Sequence, residues 1–227
     1  MKIDIISDNV CPWCYIGKRR LERALAQRDE LEVEITWRPF QLNPDMPAGG
    51  LDREAYLNAK FGGAQRAEQI YAAIREAGDG EGIDFAFDKI TRTPNTIDSH
   101  RLLHWAGQAG LQDAVVEVLF QRYFEEGADI GDREVLVAIA AQAGMDGDEV
   151  RARFERGDDL ELVAAQDTNA RQRGVAGVPY FIIAGKYAVS GAQDPSIFLQ
   201  VLDLAARGGD EGEGEAEAEE SAASGAT

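Results

Sequence analysis

Cys11 and Cys14 are the only cysteines in this 227-residue chain, and they stand together as Cys11-Pro12-Trp13-Cys14. A bridge across so short a loop restrains the unfolded chain very little, so a structural staple is a poor use for the pair. Two other chemistries suit this spacing. One is half of a zinc site, completed by the chain's two histidines, His100 and His104, which share one helical face. Those histidines lie about 85 residues beyond Cys14, so the metal would have to join distant parts of the fold, unlike the short loop of a zinc finger. The other chemistry is thiol–disulfide exchange, in which one sulfur attacks and the second resolves the mixed disulfide. Exchange needs nothing beyond the pair itself and is the preferred reading.

The pair must be held by its neighbours. Ile3-Asp4-Ile5-Ile6 precedes it as a short apolar strand, and Ile16 to Leu25 follows with apolar residues at helical intervals. A thiol in the first turn of that helix faces unpaired backbone N–H groups and the positive end of the helix dipole, which favour thiolate. Cys11 is therefore expected to be the nucleophile, exposed at the helix start, with Cys14 more buried behind it. Asp8, three residues earlier, reads as a turn or capping residue, with a proton relay as the sharper alternative.

A second strand follows in the alternating stretch 31–40, and the prolines and glycines of 42–50 end it. From Asp52 to about Arg173 the pattern is helical, with segments near 52–61, 64–77, 96–109, 112–126, 133–143, 147–156 and 159–173. Gly78, Gly110, Gly127, Gly144, Gly157 and Gly174 fall where helix-ending glycines belong. Residues 80–94 read as an irregular connection, Asn95 as the cap of the next helix, and His100 and His104 as structural. Strand character returns from Gly177 to Gly191 as a hairpin with Gly185-Lys186 at its turn. A last amphipathic helix starts near Asp194-Pro195.

The division expected is a sheet domain in two parts, 1–51 and 174–207, a helical insertion over 52–173, and an acidic tail over 208–227. That tail is too poor in apolar residues to order itself. The net charge of -18 and the absence of a basic stripe argue against nucleic-acid binding. No run is long and apolar enough for a membrane span, and the N-terminus lacks the apolar core of a signal peptide. The cytoplasm is the default compartment, where a CxxC pair is more often catalytic than structural.

In this order, the elements form a thioredoxin-type α/β fold interrupted by an all-helical insertion subdomain. The chain resembles the DsbA-like thioredoxin superfamily, and within it the FrnE-type branch. The resemblance is carried by Asp8-Asn9-Val10-Cys11-Pro12-Trp13-Cys14-Tyr15-Ile16-Gly17, Arg38-Pro39-Phe40-Gln41-Leu42, Pro94-Asn95-Thr96 with His100-Arg101-Leu102, Gly177-Val178-Pro179-Tyr180-Phe181 and Ala188-Val189-Ser190-Gly191-Ala192-Gln193, over residues 1 to about 206. It implies a protein disulfide oxidoreductase with Cys11 and Cys14 as the reacting groups. It also implies a cis Val178–Pro179 bond facing them, and a client bound at Pro12, Trp13, Val178 and Pro179. No cofactor is implied beyond the redox-active disulfide. The implied partners are protein or small-molecule thiols and disulfides, with glutathione a candidate among them. Kappa-class glutathione transferases and 2-hydroxychromene-2-carboxylate isomerases share the architecture but carry serine where Cys11 stands. A non-catalytic chaperone or zinc-binding protein is the remaining alternative.

Overall fold

The computed structural model describes residues 1–208, so all but the first residue of the expected acidic tail lies outside the described residues. Strand β1 (Lys2–Ser7) leads into helix α1 (Pro12–Leu25), and β2 (Glu34–Pro39) follows. A short strand β3 (Leu51–Asp52) opens the helical part, with α2 (Arg53–Phe61) and α3 (Ala64–Asp79) after it. A 3-10 turn (Phe87–Lys89) and β4 (Arg92–Thr93) then precede α4 (Ile97–Gln108), α5 (Gln112–Phe124), α6 (Arg133–Gln142), α7 (Gly147–Arg156) and α8 (Leu160–Gln172). The chain returns to the sheet as β5 (Tyr180–Ile183) and β6 (Tyr187–Ser190) and closes with α9 over residues 195–208.

The main sheet runs in the order β2-β1-β5-β6, with β1 and β2 parallel and the other neighbours antiparallel. This is the thioredoxin arrangement, and it follows from the period-two alternation of the strands. Ile3 and Ile5 point into the large core with α1 and α9, whereas Ile6 points the other way, against Phe40, Ala170 and Val175. The sheet is thus covered on both faces, by α1 and α9 on one and α8 on the other. The carboxyl end of β1 feeds α1, so the Cys-Pro-Trp-Cys turn sits at the edge of a fully packed layer.

Helix α1 starts where its sequence dictates. Cys11 is the extended N-cap (φ -95, ψ 110), and Pro12 occupies the first helical position, where a missing N–H leaves no bond unmade. One turn on, Tyr15 is buried. Its ring stacks on Phe120 at 5.0 Å and meets Phe85 edge-on at 6.1 Å, anchoring the cysteine helix in the helical insertion. Lys18 is buried beside it and reaches Glu22, Asp113 (3.4 Å) and Glu117 (3.0 Å), tying α1 to α5. Burial alone would raise the Glu117 carboxyl, but the Arg19 hydrogen bond and the Lys18 charge hold it below its ordinary range.

Two local expectations need correction. Gly78 does not end a helix: α3 continues to Asp79, and a Cβ at Gly78 would lie 2.4 Å from the Phe85 ring, so the residue is there for close packing. The hairpin turn is one residue earlier than expected. Ala184 (φ 52) and Gly185 (φ 68) form its centre, and Lys186 donates its N–H back to Ile183 at 3.2 Å. Two successive left-handed residues are the mark of a type I′ turn, whose twist matches the flanking strands.

Candidate active site

Cys11 and Cys14 come within 3.4 Å of each other at the start of α1, both as free thiols. The Cys11 N–H donates to Asp8 O and the Cys14 N–H to Cys11 O, both at 3.0 Å, so the backbone fixes the loop before any side chain takes part. Across from them the Val178–Pro179 peptide bond is cis. Strand β5 begins only at Tyr180, so Val178 precedes the ladder, and its carbonyl lies 3.6 Å from Cys11 Sγ. Gly17 permits this approach. A Cβ there would stand 3.0 Å from Pro179 Cγ and 3.1 Å from Phe181 Cζ, tighter than ordinary packing allows.

The pair is less open than its sequence suggests. Cys11 is 4% exposed rather than accessible, because it belongs to the same core cluster as Cys14 and Val178 packs on that cluster. The surface at this point is presented by Trp13, which is 38% exposed, with Pro12 and Val178 half-buried beside it. Among the described residues, no three His, Cys, Asp or Glu side chains gather as metal ligands would.

Burial pushes the Cys14 thiol well up, and the hydrogen bond and charge of Cys11 add to it. The Ser7 hydroxyl and the Asp8 backbone N–H offset this only in part. Cys14 thus keeps its proton to higher pH than an ordinary thiol. A thiol whose folded pKa exceeds its unfolded one stabilises the fold fully below the unfolded value and loses that contribution as pH rises toward the folded value. Denaturant titrations of the reduced protein are therefore expected to show stability falling above about pH 9, by at most about 1.4 kcal/mol per pH unit for one proton. The oxidised protein has no such thiol proton, so a parallel decline in both forms would refute the assignment to Cys14.

Asp8 does not cap α1, which has no side-chain cap. It is fully buried; Oδ2 accepts the Leu42 N–H at 2.7 Å and fixes the loop after β2 against the cysteine turn. Asn95 acts just before α4 rather than at its N-cap, which is Thr96: its Oδ1 accepts from Ile97 N at 2.9 Å, and its Nδ2 donates to Met46 O at 2.6 Å. His100 is buried beneath this loop with Nε2 3.4 Å from Asp8 Oδ1, a juxtaposition that sequence reading missed. The shared signal was present only as two polar residues inside apolar surroundings. His104, one turn further on α4, pairs with Gln108 at 3.1 Å.

Comparison with known proteins agrees with this architecture. Residues 2–203 match the family of DSBA-like thioredoxin domains. The probable DsbA oxidoreductase SCO1869 from Streptomyces coelicolor superposes with a TM-score of 0.79 at 35% identity, covering 90% of this chain and 89% of that one. A 2-hydroxychromene-2-carboxylate isomerase superposes with a TM-score of 0.71 at 18% identity, covering 93% of this chain and 98% of its own. The cytosolic disulfide reductase DsbM from Pseudomonas aeruginosa, solved with GSH, gives 0.61 at 18% identity, covering 91% of this chain and 100% of its own. At the lower identities the likeness is one of fold. The match along almost the whole described chain, together with the sheet order and helical insertion, places the protein in the DsbA-like thioredoxin family.

Proposed function

We propose that the protein is a thiol–disulfide oxidoreductase of the FrnE type in which Cys11 exchanges disulfides and Cys14 resolves them. The observation that carries this reading is the contact of the two thiols at the start of α1, with Cys11 Sγ 3.6 Å from the carbonyl before Pro179. A client chain pairs with the Val178 backbone as an added strand, which brings its sulfur to Cys11. Trp13, Pro12 and Val178 form the contact surface. In the reducing direction, Cys11 attacks the client disulfide and one client sulfur leaves as a thiolate. The Cys14 sulfur then attacks Cys11, breaks the mixed disulfide and releases the second client thiolate. The oxidising direction is the reverse sequence.

No bound cofactor is required, since the dithiol is the redox group. Glutathione is proposed as a low-molecular-weight partner, in keeping with the DsbM structure solved with GSH. The proposed compartment is the cytoplasm. Isomerase or transferase chemistry of the serine-bearing relatives is disfavoured because both cysteines are kept. Insulin reduction by dithiothreitol tests the proposal: the protein is expected to accelerate precipitation of the insulin B chain catalytically, and a rate equal to that of dithiothreitol alone would reject it.

A further inference from the structure

We propose that the outer edge of β2 is a docking site for an extended, lysine- or arginine-bearing segment of a partner protein, which adds to the sheet as a strand opposite Ile35. The proposal stands apart from the thiol chemistry, since it uses neither Cys11 nor Cys14.

Strand β2 ends the main sheet, so one row of its backbone groups has no neighbouring strand. Hydrogen bonds fix which row that is. The Glu34 N–H donates to Met1 O at 2.9 Å and the Phe40 N–H to Ser7 O at 3.0 Å, so the even-numbered residues of β2 face β1. Ile35, Trp37 and Pro39 therefore face outward. Two of these three positions are closed. Pro39 has no N–H to offer. At Trp37 the side-chain amide of Gln112, the first residue of α5, takes the place of a strand: the Trp37 N–H donates to Gln112 Oε1 at 2.8 Å, and Gln112 Nε2 donates to Trp37 O at 3.1 Å. Ile35 has no such cover. Among the described residues nothing bonds its outward N–H and C=O, and where a strand would lie there is a cleft of about 700 Å³, walled by β2 on one side and by Leu103, His104 and Gly107 of α4 on the other. An open sheet edge is a template for strand addition. A partner chain laid antiparallel here exchanges both bonds with Ile35 through a single residue, and Gln112 stops it one position further on.

The charges around the opening select the partner. Residues opposite each other across two strands share a face, so a neighbour of the central partner residue lies against Glu34. That side chain is 68% exposed, and its ion-pair partner Lys2 is an exposed residue 3.8 Å away, a pairing that holds it weakly. On the face of Trp37, Asp113 lines the same cleft, 56% exposed, and shares its cation Lys18 with Glu22 and Glu117. Arg38, the cation on this edge, is already held by Asp4 at 2.7 Å. Accessible carboxylates on a chain of net charge -18 attract a cationic segment and repel a second copy, which brings the same charge.

Fluorescence anisotropy tests this with the cysteine-free peptide acetyl-GSTKVKTSG-amide carrying a neutral fluorophore, titrated with the reduced full-length protein. Saturable binding is expected. N-methylating the central valine removes the N–H that Ile35 O accepts and is expected to weaken binding about tenfold, as is Ile35→Pro, which removes the outward N–H at a position where an edge strand tolerates proline. N-methylating the lysine after it, whose N–H points away from β2, is expected to change binding by no more than about twofold. Replacing both lysines with glutamate is expected to weaken it by at least about tenfold. The methylated peptides leave the protein unaltered, so they decide the matter even where Ile35→Pro fails to fold. Absence of saturable binding, or equal weakening by the two methylations, would overturn strand addition at Ile35, and equal binding of the glutamate peptide would overturn the cationic partner. A dimer in sedimentation equilibrium that Ile35→Pro dissociates would overturn the proposal by giving the edge to a second copy. Cys11→Ser is expected to bind the peptide as the wild type does, so failure here leaves the oxidoreductase reading standing.

Discussion

Replacing Cys11 with serine is expected to reduce catalysed insulin reduction to the rate of dithiothreitol alone. A hydroxyl at neutral pH carries almost no alkoxide and forms no stable bond to a disulfide sulfur, so the first covalent step has no substitute. Cys14→Ser has a different signature. Cys11 still attacks, but nothing resolves the product, and a client or glutathione adduct accumulates on Cys11. Intact mass spectrometry under a glutathione redox buffer distinguishes the two: Cys14→Ser gains one glutathione per chain, and Cys11→Ser gains none or far less. The asymmetry follows from the fold. Cys11 Sγ faces the Val178 carbonyl, where the proposed client strand would pair, whereas Cys14 is 1% exposed and its thiol is pushed up by burial. Equal adduct formation on both variants would mean that the two sulfurs are interchangeable, contrary to this geometry.

Phe181→Ala is expected to be among the most destabilising single changes in the sheet, at about 3–5 kcal/mol in urea unfolding. The ring is fully buried, meets Phe198 of α9 edge-on at 4.8 Å, and touches the space above Gly17 that Pro179 shares. Its loss opens a cavity between β5, α1 and α9 that close-packed neighbours only partly refill. Against a total stability of about 5–15 kcal/mol, that is a large fraction. The same cavity removes the support that sets Pro179 against α1, so the exchange rate per folded molecule is expected to fall as well. A change below about 1 kcal/mol would show that α9 does not brace the strand carrying Pro179.

How much of this was legible in the sequence depended on the range of the interactions involved. The strand–CxxC–helix order, the helical insertion and the returning hairpin are written in local periodicity, and the observed elements fall on the expected segments within a few residues. Glycines at 110, 127, 144, 157 and 174 do take positive φ, because those positions need a left-handed residue. Gly78 and Gly17 look the same in sequence but answer to a distant ring or strand, so only tertiary packing reveals their purpose. The burial of Cys11 was likewise hidden, since it depends on where Val178 packs, 167 residues away. The Asp8–His100 contact joins a turn after β1 to a helix in the insertion, and neither segment announces the other.

A redox equilibrium of the intact protein in glutathione buffers, read by the mass of the acid-quenched chain, tests whether Cys11 and Cys14 form a redox-active pair. One reversible two-electron transition is expected between a dithiol and a Cys11–Cys14 disulfide two hydrogens lighter. Its midpoint is expected within the range of about -270 to -120 mV spanned by dithiol oxidoreductases. A chain that stays reduced throughout, or that only collects glutathione adducts without closing the bridge, would contradict it.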